Sequence, residues 1–360
     1  MLKSKFKKHL CELKRIRVGA YRNTSTGLFL DRNERTVPFG AKTLRLLHKR
    51  LANARFNFYP DVSPFYKKLA DWLKVEEGKI YITEGVSGAI KALIESIAEP
   101  GDNIVFPMPG FALYPVYCQM FNLEYKMVGY TKEYKLDVDK MLRLLDERTS
   151  ILFLPNPNVP IEGTLDLDAI ESIAEACLKN KTFLAIDEVY FGFGGPTAIG
   201  LIDRFENTFV MRSFSKGFGL PSIRLGYLLG SPENIDYVSK VRAGYETNTA
   251  SMEVACFFLD NYHIVESYIK DVREGLAYLK GELDRLGLEH NGGNASNFVY
   301  VNLRDRTKAE RITQDLEAKN IYVRSGWPEP YSGGFSVTGA PKSIMKQFVN
   351  EISAILRKIK

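Results

Sequence analysis

A single lysine, Lys216, lies in the glycine- and serine-rich stretch RSFSKGFGLPSIRLGY, directly after an apolar run. A lysine amine is a poor nucleophile at neutral pH unless its surroundings suppress its charge. Ser213 precedes Lys216 and Arg224 follows it, and hydroxyl groups beside a guanidinium suit a phosphate dianion. Taken alone, the stretch is also compatible with an ordinary surface lysine in a turn.

A second candidate group lies in AIDEVYFGF, where Asp187 ends an apolar run and Tyr190 follows three residues later. A carboxylate in a hydrophobic strand is costly unless it is paired. A protonated heterocyclic nitrogen would be such a partner, and Tyr190 could then donate a hydrogen bond to a phenolate oxygen across the same ring. The alternative is a buried aspartate bonded to backbone amides, and this segment alone does not decide between the two.

A third candidate lies in YITEGVSGAIKALI, where Gly85, Val86 and Ser87 join a strand to an amphipathic helix. The first turn of a helix offers free N–H groups and the positive end of the helix dipole, and both attract anions. The simpler alternative is that Ser87 only caps the helix, and this segment alone favours that alternative.

The elements that must position these groups alternate along the middle of the chain. Apolar runs that end in turn residues predict buried strands at 103–109, 150–157, 182–191 and 207–215. Amphipathic stretches between them predict helices, for example at 86–98 and 166–178. The alternation predicts a mostly parallel sheet covered by helices on both faces, with its sites at the carboxyl ends of the strands.

The pattern changes from about residue 255. A long helical region, two further strand-like runs and a final helix predict a smaller α+β domain. We therefore expect a large domain over residues 46–250 and a small domain formed by residues 1–45 and 251–360.

Composition limits the classes of function. The 360 residues are 45% hydrophobic and 26% charged, as in a globular protein, and no apolar stretch is long enough to span a membrane. The net charge is +6, and the basic first 17 residues could contact nucleic acid or an anionic membrane, but they carry no recognised nucleic-acid motif, so a solvated arm or a surface helix is favoured. These residues also lack the apolar region of a secretory signal, so we expect a cytoplasmic location. The four cysteines lack CxxC spacing, so we expect neither a metal site nor disulfides.

Together these motifs resemble the fold-type I pyridoxal-phosphate enzymes, specifically the histidinol-phosphate aminotransferase branch of the class I and II aminotransferases. The motifs that carry the resemblance occur in the expected order: LDRNE, NFYPD, EGVSGAI, LFLPNPNVPIEG, DEVY and SFSKGFGLPSIRLGY. The resemblance covers nearly the whole chain. It implies a large domain with a mostly parallel, predominantly seven-stranded sheet flanked by helices, plus a smaller α+β domain.

The resemblance also implies roles for individual residues. Lys216 would hold pyridoxal 5'-phosphate as an imine and move the substrate proton, Asp187 would pair with the ring nitrogen, and Tyr190 would bond the ring hydroxyl. Other residues would hold the cofactor phosphate or stack on the ring: Gly85, Val86, Ser87, Ser213, Arg224 and Phe111. Tyr59 matches a tyrosine that reaches the cofactor phosphate of the neighbouring subunit, which implies a homodimer.

Two departures from the family pattern affect these expectations. Val159 stands where the family has an asparagine that bonds the ring hydroxyl, so either Asn158 takes this role through a shifted turn or Tyr190 acts alone. The strand-like GGFSVTG lacks the arginine that clamps a substrate α-carboxylate. Arg324 matches an arginine associated with a substrate phosphate, and Asn33 of LDRNE is expected to contact substrate.

Two reactions fit these features. The first is transamination of a small phosphorylated substrate that lacks an α-carboxylate, with an amino acid such as glutamate as donor. The alternative is decarboxylation of a phosphorylated amino acid on the same scaffold, because a carboxylate that is not clamped near the ring plane is free to leave. We favour the aminotransferase, since aminotransferases dominate the family, over the decarboxylase and over a non-catalytic regulator.

Overall fold

The computed structural model describes residues 5–13 and 26–359. Its largest sheet has seven strands, and six of them run parallel, while β8 is antiparallel to both of its neighbours. In spatial order the strands are β2 (Ile80–Thr83), β8 (Gly226–Leu229), β7 (Thr208–Ser213), β6 (Phe183–Asp187), β5 (Thr149–Pro155), β3 (Asn103–Pro107) and β4 (Glu124–Val128).

Helices cover both faces of this sheet because its strands are apolar on both sides. Along β5, Leu152 and Leu154 belong to one hydrophobic cluster, whereas Ile151 and Phe153 belong to a second cluster on the opposite face. Side chains that alternate between two buried faces are typical of a parallel sheet inside an α/β protein. The sheet is therefore the middle of three layers.

The helices before residue 240 mostly follow the strands of this sheet. They are α1 (Lys8–Glu12), α2 (Ala41–Ala52), α3 (Ser63–Leu73), α4 (Gly85–Ile97), α5 (Leu113–Phe121), α6 (Val138–Leu142), α7 (Leu167–Lys179) and α8 (Pro232–Ser239). The helix α4 follows β2, and α7 lies between β5 and β6 in the sequence. This order confirms the predicted alternation of strands and helices.

Two smaller sheets are built from the two ends of the chain. One is antiparallel, with the order β12 (Gly334–Thr338), β10 (Phe298–Asn302) and β9 (Glu289–Gly292). The other is a parallel pair, β1 (Leu28–Leu30) and β11 (Ile321–Val323). The accompanying helices are α9 (Thr249–Asp260), α10 (His263–Arg285), α11 (Arg306–Glu317) and α12 (Lys342–Ile359).

Some boundaries differ from those predicted. The helical region expected at 252–287 is two helices, because α9 ends at Asp260 and α10 begins at His263. The predicted domain boundaries at 45/46 and 250/251 fall inside α2 and α9, so neither junction is a loop. Residues 1–4 and 14–25, which include much of the basic N-terminal stretch, lie outside the described residues. Within the part of the chain that the structure describes, no helix combines the length and apolarity needed to cross a bilayer.

Candidate active site

Three neighbouring parallel strands end at the same edge of the central sheet. Asp187, the last residue of β6, pairs with Pro155 of β5 on one side and with Met211 of β7 on the other. Carboxyl ends of parallel strands are the usual location of sites in such sheets. Here a cavity opens at that edge, lined by Arg32, Asn33, Val86, Phe111, Pro155, Pro157, Asn158, Val159, Asp187, Val189, Tyr190, Lys216 and Arg324.

Lys216 brings an amine into this cavity. Its Nζ donates a hydrogen bond of 2.7 Å to the carbonyl oxygen of Arg32. Burial, helped by the nearby charges of Arg324 and Arg224 and opposed by Glu34, lowers the pKa of Lys216 to about 8. Relative to a solvent-exposed lysine, a much larger fraction of this amine is neutral near pH 7, which is the state a nucleophile needs.

Asp187 brings a carboxylate into the same cavity. Its Oδ1 accepts from the backbone N–H of Val189 at 3.0 Å, and its Oδ2 accepts from the Tyr114 hydroxyl at 3.1 Å. Burial raises the pKa of Asp187 to about 7, with a smaller contribution from Glu188, while the two hydrogen bonds oppose the rise. A buried acid of this kind is stabilised as a carboxylate by a cationic partner in the cavity.

Tyr190 is held by Asn33. The Nδ2 of Asn33 donates to the Tyr190 hydroxyl at 2.8 Å, and Asn33 itself adopts a left-handed backbone conformation with φ of 54°. Burial raises the pKa of Tyr190, so its hydroxyl keeps its proton. Because the hydroxyl oxygen accepts from Asn33, its own proton remains available for a ligand in the cavity.

A second polar group forms where α4 begins, next to β8. Arg224 donates from Nη2 to the carbonyl of Glu84 and to the Ser87 Oγ, both at 3.3 Å. Gly85 starts α4 with φ of 70°, and its Cα would lie 2.7 Å from a Cβ placed on Gly226, so this close approach requires glycine. The guanidinium therefore lies against the first turn of the helix, as expected of a phosphate site.

Ser213 lies next to this group at the end of β7. Its Oγ donates to Ser215 Oγ at 2.9 Å and accepts from the Ser215 backbone N–H at 3.0 Å. Both serines are buried. The residues expected to hold a phosphate thus come together where β2, β8 and β7 are neighbours, and of Gly85, Val86, Ser87, Ser213 and Arg224 the cavity lining includes Val86.

Two apolar residues lie in the cavity wall with Asp187. Phe111 was expected to stack on a ring, and Val189, which sequence reasoning missed, lines the same cavity two residues after Asp187. Asn158 also lines the cavity, but its Nδ2 donates to the Pro109 carbonyl at 2.7 Å. This bond uses one of the two N–H groups of the Asn158 amide.

Tyr59 lies away from the cavity of its own chain. Its side chain is 79% exposed, and its ring stacks on Tyr245 with centroids 4.6 Å apart. The neighbouring Phe56 and Phe58 are also exposed. An exposed group of aromatic rings is typical of a surface that another molecule covers.

The side of the cavity expected to bind substrate contains Arg324. Its guanidinium lies 4.4 Å from the ring centre of Trp327, and partial burial lowers the pKa of Arg324. On β12, the positions paired with Phe298 and Tyr300 are Thr338 and Ser336, and Phe298 packs on the Tyr190 ring. At these positions β12 therefore presents small hydroxyl side chains. The strand lacks the family arginine, as its sequence indicates.

A buried ion pair that sequence reasoning missed links two of the strands that carry site residues. Glu188 accepts from Arg212 Nε at 2.9 Å, and both side chains are only 3% exposed. Glu188 also accepts from Thr197 Oγ1 and from the backbone N–H of Ala198. The pair joins the carboxyl ends of β6 and β7, which carry Asp187 and Ser213. Glu188 follows one apolar run and Arg212 lies near the end of another, and nothing in the local sequence indicates that the two residues pair.

These contacts fit a pyridine aldehyde phosphate. Lys216, Asp187 and Tyr190 line one cavity, and the turn that begins at Gly85, together with Arg224, supplies anion-binding groups beside Val86 in the cavity wall. The fold and the site together define a pyridoxal-phosphate enzyme of fold type I.

Comparison with known proteins gives the family. The model described as "Aminotransferase class I and II" matches residues 23–350, so the chain belongs to that family. It is 32% identical over 299 residues to histidinol-phosphate aminotransferase 1 of Burkholderia lata, covering 81% of this chain and 83% of the relative. It is 27% identical over 301 residues to histidinol-phosphate aminotransferase of Caldanaerobacter subterraneus, covering 82% and 83%.

Solved structures agree on the fold. The crystal structure of histidinol-phosphate aminotransferase from Sinorhizobium meliloti in complex with pyridoxal-5'-phosphate matches with a TM-score of 0.90 at 19% identity, covering 99% of both chains. Aspartate aminotransferase from Thermotoga maritima matches with a TM-score of 0.81 at 16% identity, covering 98% of this chain and 100% of that one. The predicted fold is confirmed, and the protein is a pyridoxal-phosphate-dependent aminotransferase.

Proposed function

We propose that this aminotransferase acts on a small phosphorylated substrate without an α-carboxylate, with an amino acid such as glutamate as donor. The observation that carries the proposal is the placement of Lys216, Asp187 and Arg324 around one cavity while β12 carries no arginine. The relatives named histidinol-phosphate aminotransferase support the phosphorylated substrate. Nothing in the comparisons favours the decarboxylase alternative.

In this proposal each side chain has one task. The bound cofactor supplies an electron sink that stabilises negative charge on the substrate carbon. Lys216 holds the cofactor and then carries a proton to and from that carbon, for which a pKa of about 8 is suitable. Asp187 keeps the ring nitrogen protonated, and Tyr190 donates to the ring hydroxyl.

The remaining residues bind and orient. Ser213, Arg224 and the turn from Gly85 to Ser87 hold the cofactor phosphate, and Phe111 covers the ring. Arg324 binds the substrate phosphate, and Asn33 acts through Tyr190, to which it donates a hydrogen bond. Asn158 shapes the cavity through its bond to the loop at Pro109.

The attachment of the cofactor has a direct test. Borohydride reduction of the purified protein, followed by peptide mass analysis, should leave the cofactor bound to Lys216. A Lys216→Ala variant should lose both the adduct and the activity, whereas the exposed Lys240, changed to Ala as the matched control, should lose neither. A colourless protein without any lysine adduct would refute the proposal.

The type of reaction has a separate test. Histidinol phosphate and O-phosphoserine are each incubated with the holoenzyme, and the cofactor absorbance and released CO₂ are followed. Transamination converts the cofactor to its amine form without CO₂. Release of CO₂ from O-phosphoserine with unchanged cofactor absorbance would instead establish the decarboxylase.

We further propose that the enzyme is a cytoplasmic homodimer in which Tyr59 completes the partner's site. The exposed rings of Phe56, Phe58, Tyr59 and Tyr245 support a covered surface, and the four free cysteines fit a reducing compartment.

Hybrid dimers test the shared site. The Lys216→Ala and Tyr59→Ala proteins, each inactive alone, are denatured, mixed and refolded together. Since half of the random dimers are hybrids with one intact site, roughly 25% of wild-type activity should return. No recovery in verified hybrids would contradict a shared site.

A further inference from the structure

Two arginines leave the small parallel sheet at the same end. The register of β1 and β11 pairs Leu30 with Val323. Arg32 follows β1 by two residues, and Arg324 follows β11 by one. Paired strands lie roughly 4.8 Å apart, so parallel pairing brings the two arginines out side by side. Both residues line the cavity that contains Lys216.

The two residues are bound differently. The backbone carbonyl of Arg32 accepts the hydrogen bond from Lys216, whereas the Arg32 side chain is 38% exposed and its Nε lies 3.7 Å from Oδ2 of Asp31. Such a loose, partly solvated ion pair holds a guanidinium weakly. The side chain of Arg32 thus has donors to offer to an anion in the cavity.

The charges near Arg324 also favour an anion in the cavity. Partial burial lowers the pKa of Arg324; Tyr190 and Asp31 raise it, and the guanidinium of Arg32 lowers it again. The two cations are therefore close enough to repel each other. An oxyanion placed between them would relieve that repulsion and accept hydrogen bonds from both.

We propose that Arg32 is a substrate-binding residue that forms, with Arg324, an oxyanion site replacing the arginine missing from β12. The inference rests on the proposed function, because it needs an anionic substrate. The chemical class bound is an oxyanion, either the phosphate of one substrate or the carboxylate of the amino donor, since both occupy the same cavity in turn. Guanidinium groups recognise either one through paired hydrogen bonds.

The test compares three variants of the holoenzyme. Arg32→Gln keeps the backbone carbonyl that accepts from Lys216 but removes the charge, and Arg32→Lys keeps the charge without the planar fork. Arg148→Gln, at an exposed arginine beside Glu124 on β4, is the matched control. For each protein we would measure kcat and KM for histidinol phosphate and for glutamate, inhibition by inorganic phosphate, and cofactor affinity.

The expected result is a change in KM. Loss of a charge-assisted contact should raise KM for an anionic substrate and the inhibition constant of phosphate ~10- to 100-fold in Arg32→Gln, with kcat within about threefold. Arg32→Lys should be intermediate, and Arg148→Gln should match the wild type. A rise for histidinol phosphate alone assigns the site to phosphate, and a rise for glutamate alone assigns it to the carboxylate.

Other outcomes would overturn the inference. Unchanged KM values and unchanged phosphate inhibition in Arg32→Gln would show that the guanidinium binds no substrate. A loss of cofactor affinity with a fall in kcat and constant KM would show that Arg32 only supports the fold. If the wild type does not transaminate but phosphate still shifts its cofactor absorbance in an Arg32-dependent way, the proposed function fails, whereas an oxyanion site at Arg32 is supported for the anionic substrate of a different reaction.

Discussion

The charge of Lys216 should destabilise the cofactor-free protein at neutral pH. Its pKa is about 8 in the folded protein and 10.5 as the ordinary value. A difference of about 2.5 units corresponds to roughly 3 kcal/mol at 1.36 kcal/mol per unit. Because the folded-state pKa is depressed, the native protein binds fewer protons between pH 8 and 10.5, and its stability rises with pH in this window. The cost is fully present below pH 8.

Lys216→Met removes this cost and keeps a side chain of similar length. The variant also loses the hydrogen bond to the Arg32 carbonyl, which is worth about 1 kcal/mol. We therefore expect cofactor-free Lys216→Met to be more stable than the wild type by about 2 kcal/mol at pH 7. The advantage should shrink as the pH rises from 8 towards 10.5, because the native lysine is neutral in this range and deprotonating the lysine of the unfolded chain costs progressively less.

Urea denaturation of both proteins across pH 7–10.5 measures this difference. Only the difference between the curves is used, so other groups that titrate in this range cancel. Lys240→Met, at an exposed lysine paired with Asp236, serves as the control and should show no comparable gain. A stability difference that is absent at pH 7, or that is constant across the range, would refute the argument that burial suppresses the lysine charge.

Three further predictions concern groups around the cofactor. Asp187→Asn removes the anionic partner of the ring nitrogen, so kcat should fall ~100-fold or more while the circular dichroism spectrum is unchanged. Asn33→Ala removes the donor to the Tyr190 hydroxyl, and fluorescence titration should show cofactor affinity roughly fivefold weaker, as expected for about 1 kcal/mol. Arg212→Met leaves the Glu188 carboxylate buried without its cation, so the free energy of unfolding should drop by about 3 kcal/mol, and Glu188→Met in addition should restore part of it.

The large sheet was predictable because its signals are local. Each central strand is a short apolar run closed by turn residues, and Leu152 to Leu154 in β5 are buried on alternate faces. The strand β4 lies at the edge of the sheet, where most of its residues are only partly covered, so it carries no continuous apolar run. The pairing of β1 with β11 joins distant segments, and no local pattern specifies such a partner.

Some residues of the candidate site could also be predicted from local sequence, and others could not. Asp187 stands out in the sequence because a carboxylate at the end of a buried strand needs a partner, and Lys216 and Tyr190 each follow a buried strand by three residues within a recognisable motif. Tyr114 does not stand out, since it lies in the apolar helix α5 and only tertiary packing brings its hydroxyl to Asp187. Arg32 escaped notice for a similar reason, because its relation to Arg324 depends on a register between two strands at opposite ends of the chain.

That register sets the time at which the enzyme becomes competent during synthesis. Leu28 pairs with Ile321, so roughly 290 positions separate two strands that must meet, and contacts this distant close late in folding. The residues next to β1 leave the ribosome early, and β1 can pair with β11 only after most of the remaining chain has been synthesised. A polypeptide that stops before β11 contains all seven strands of the large sheet and Lys216, yet it lacks the strand with which β1 pairs.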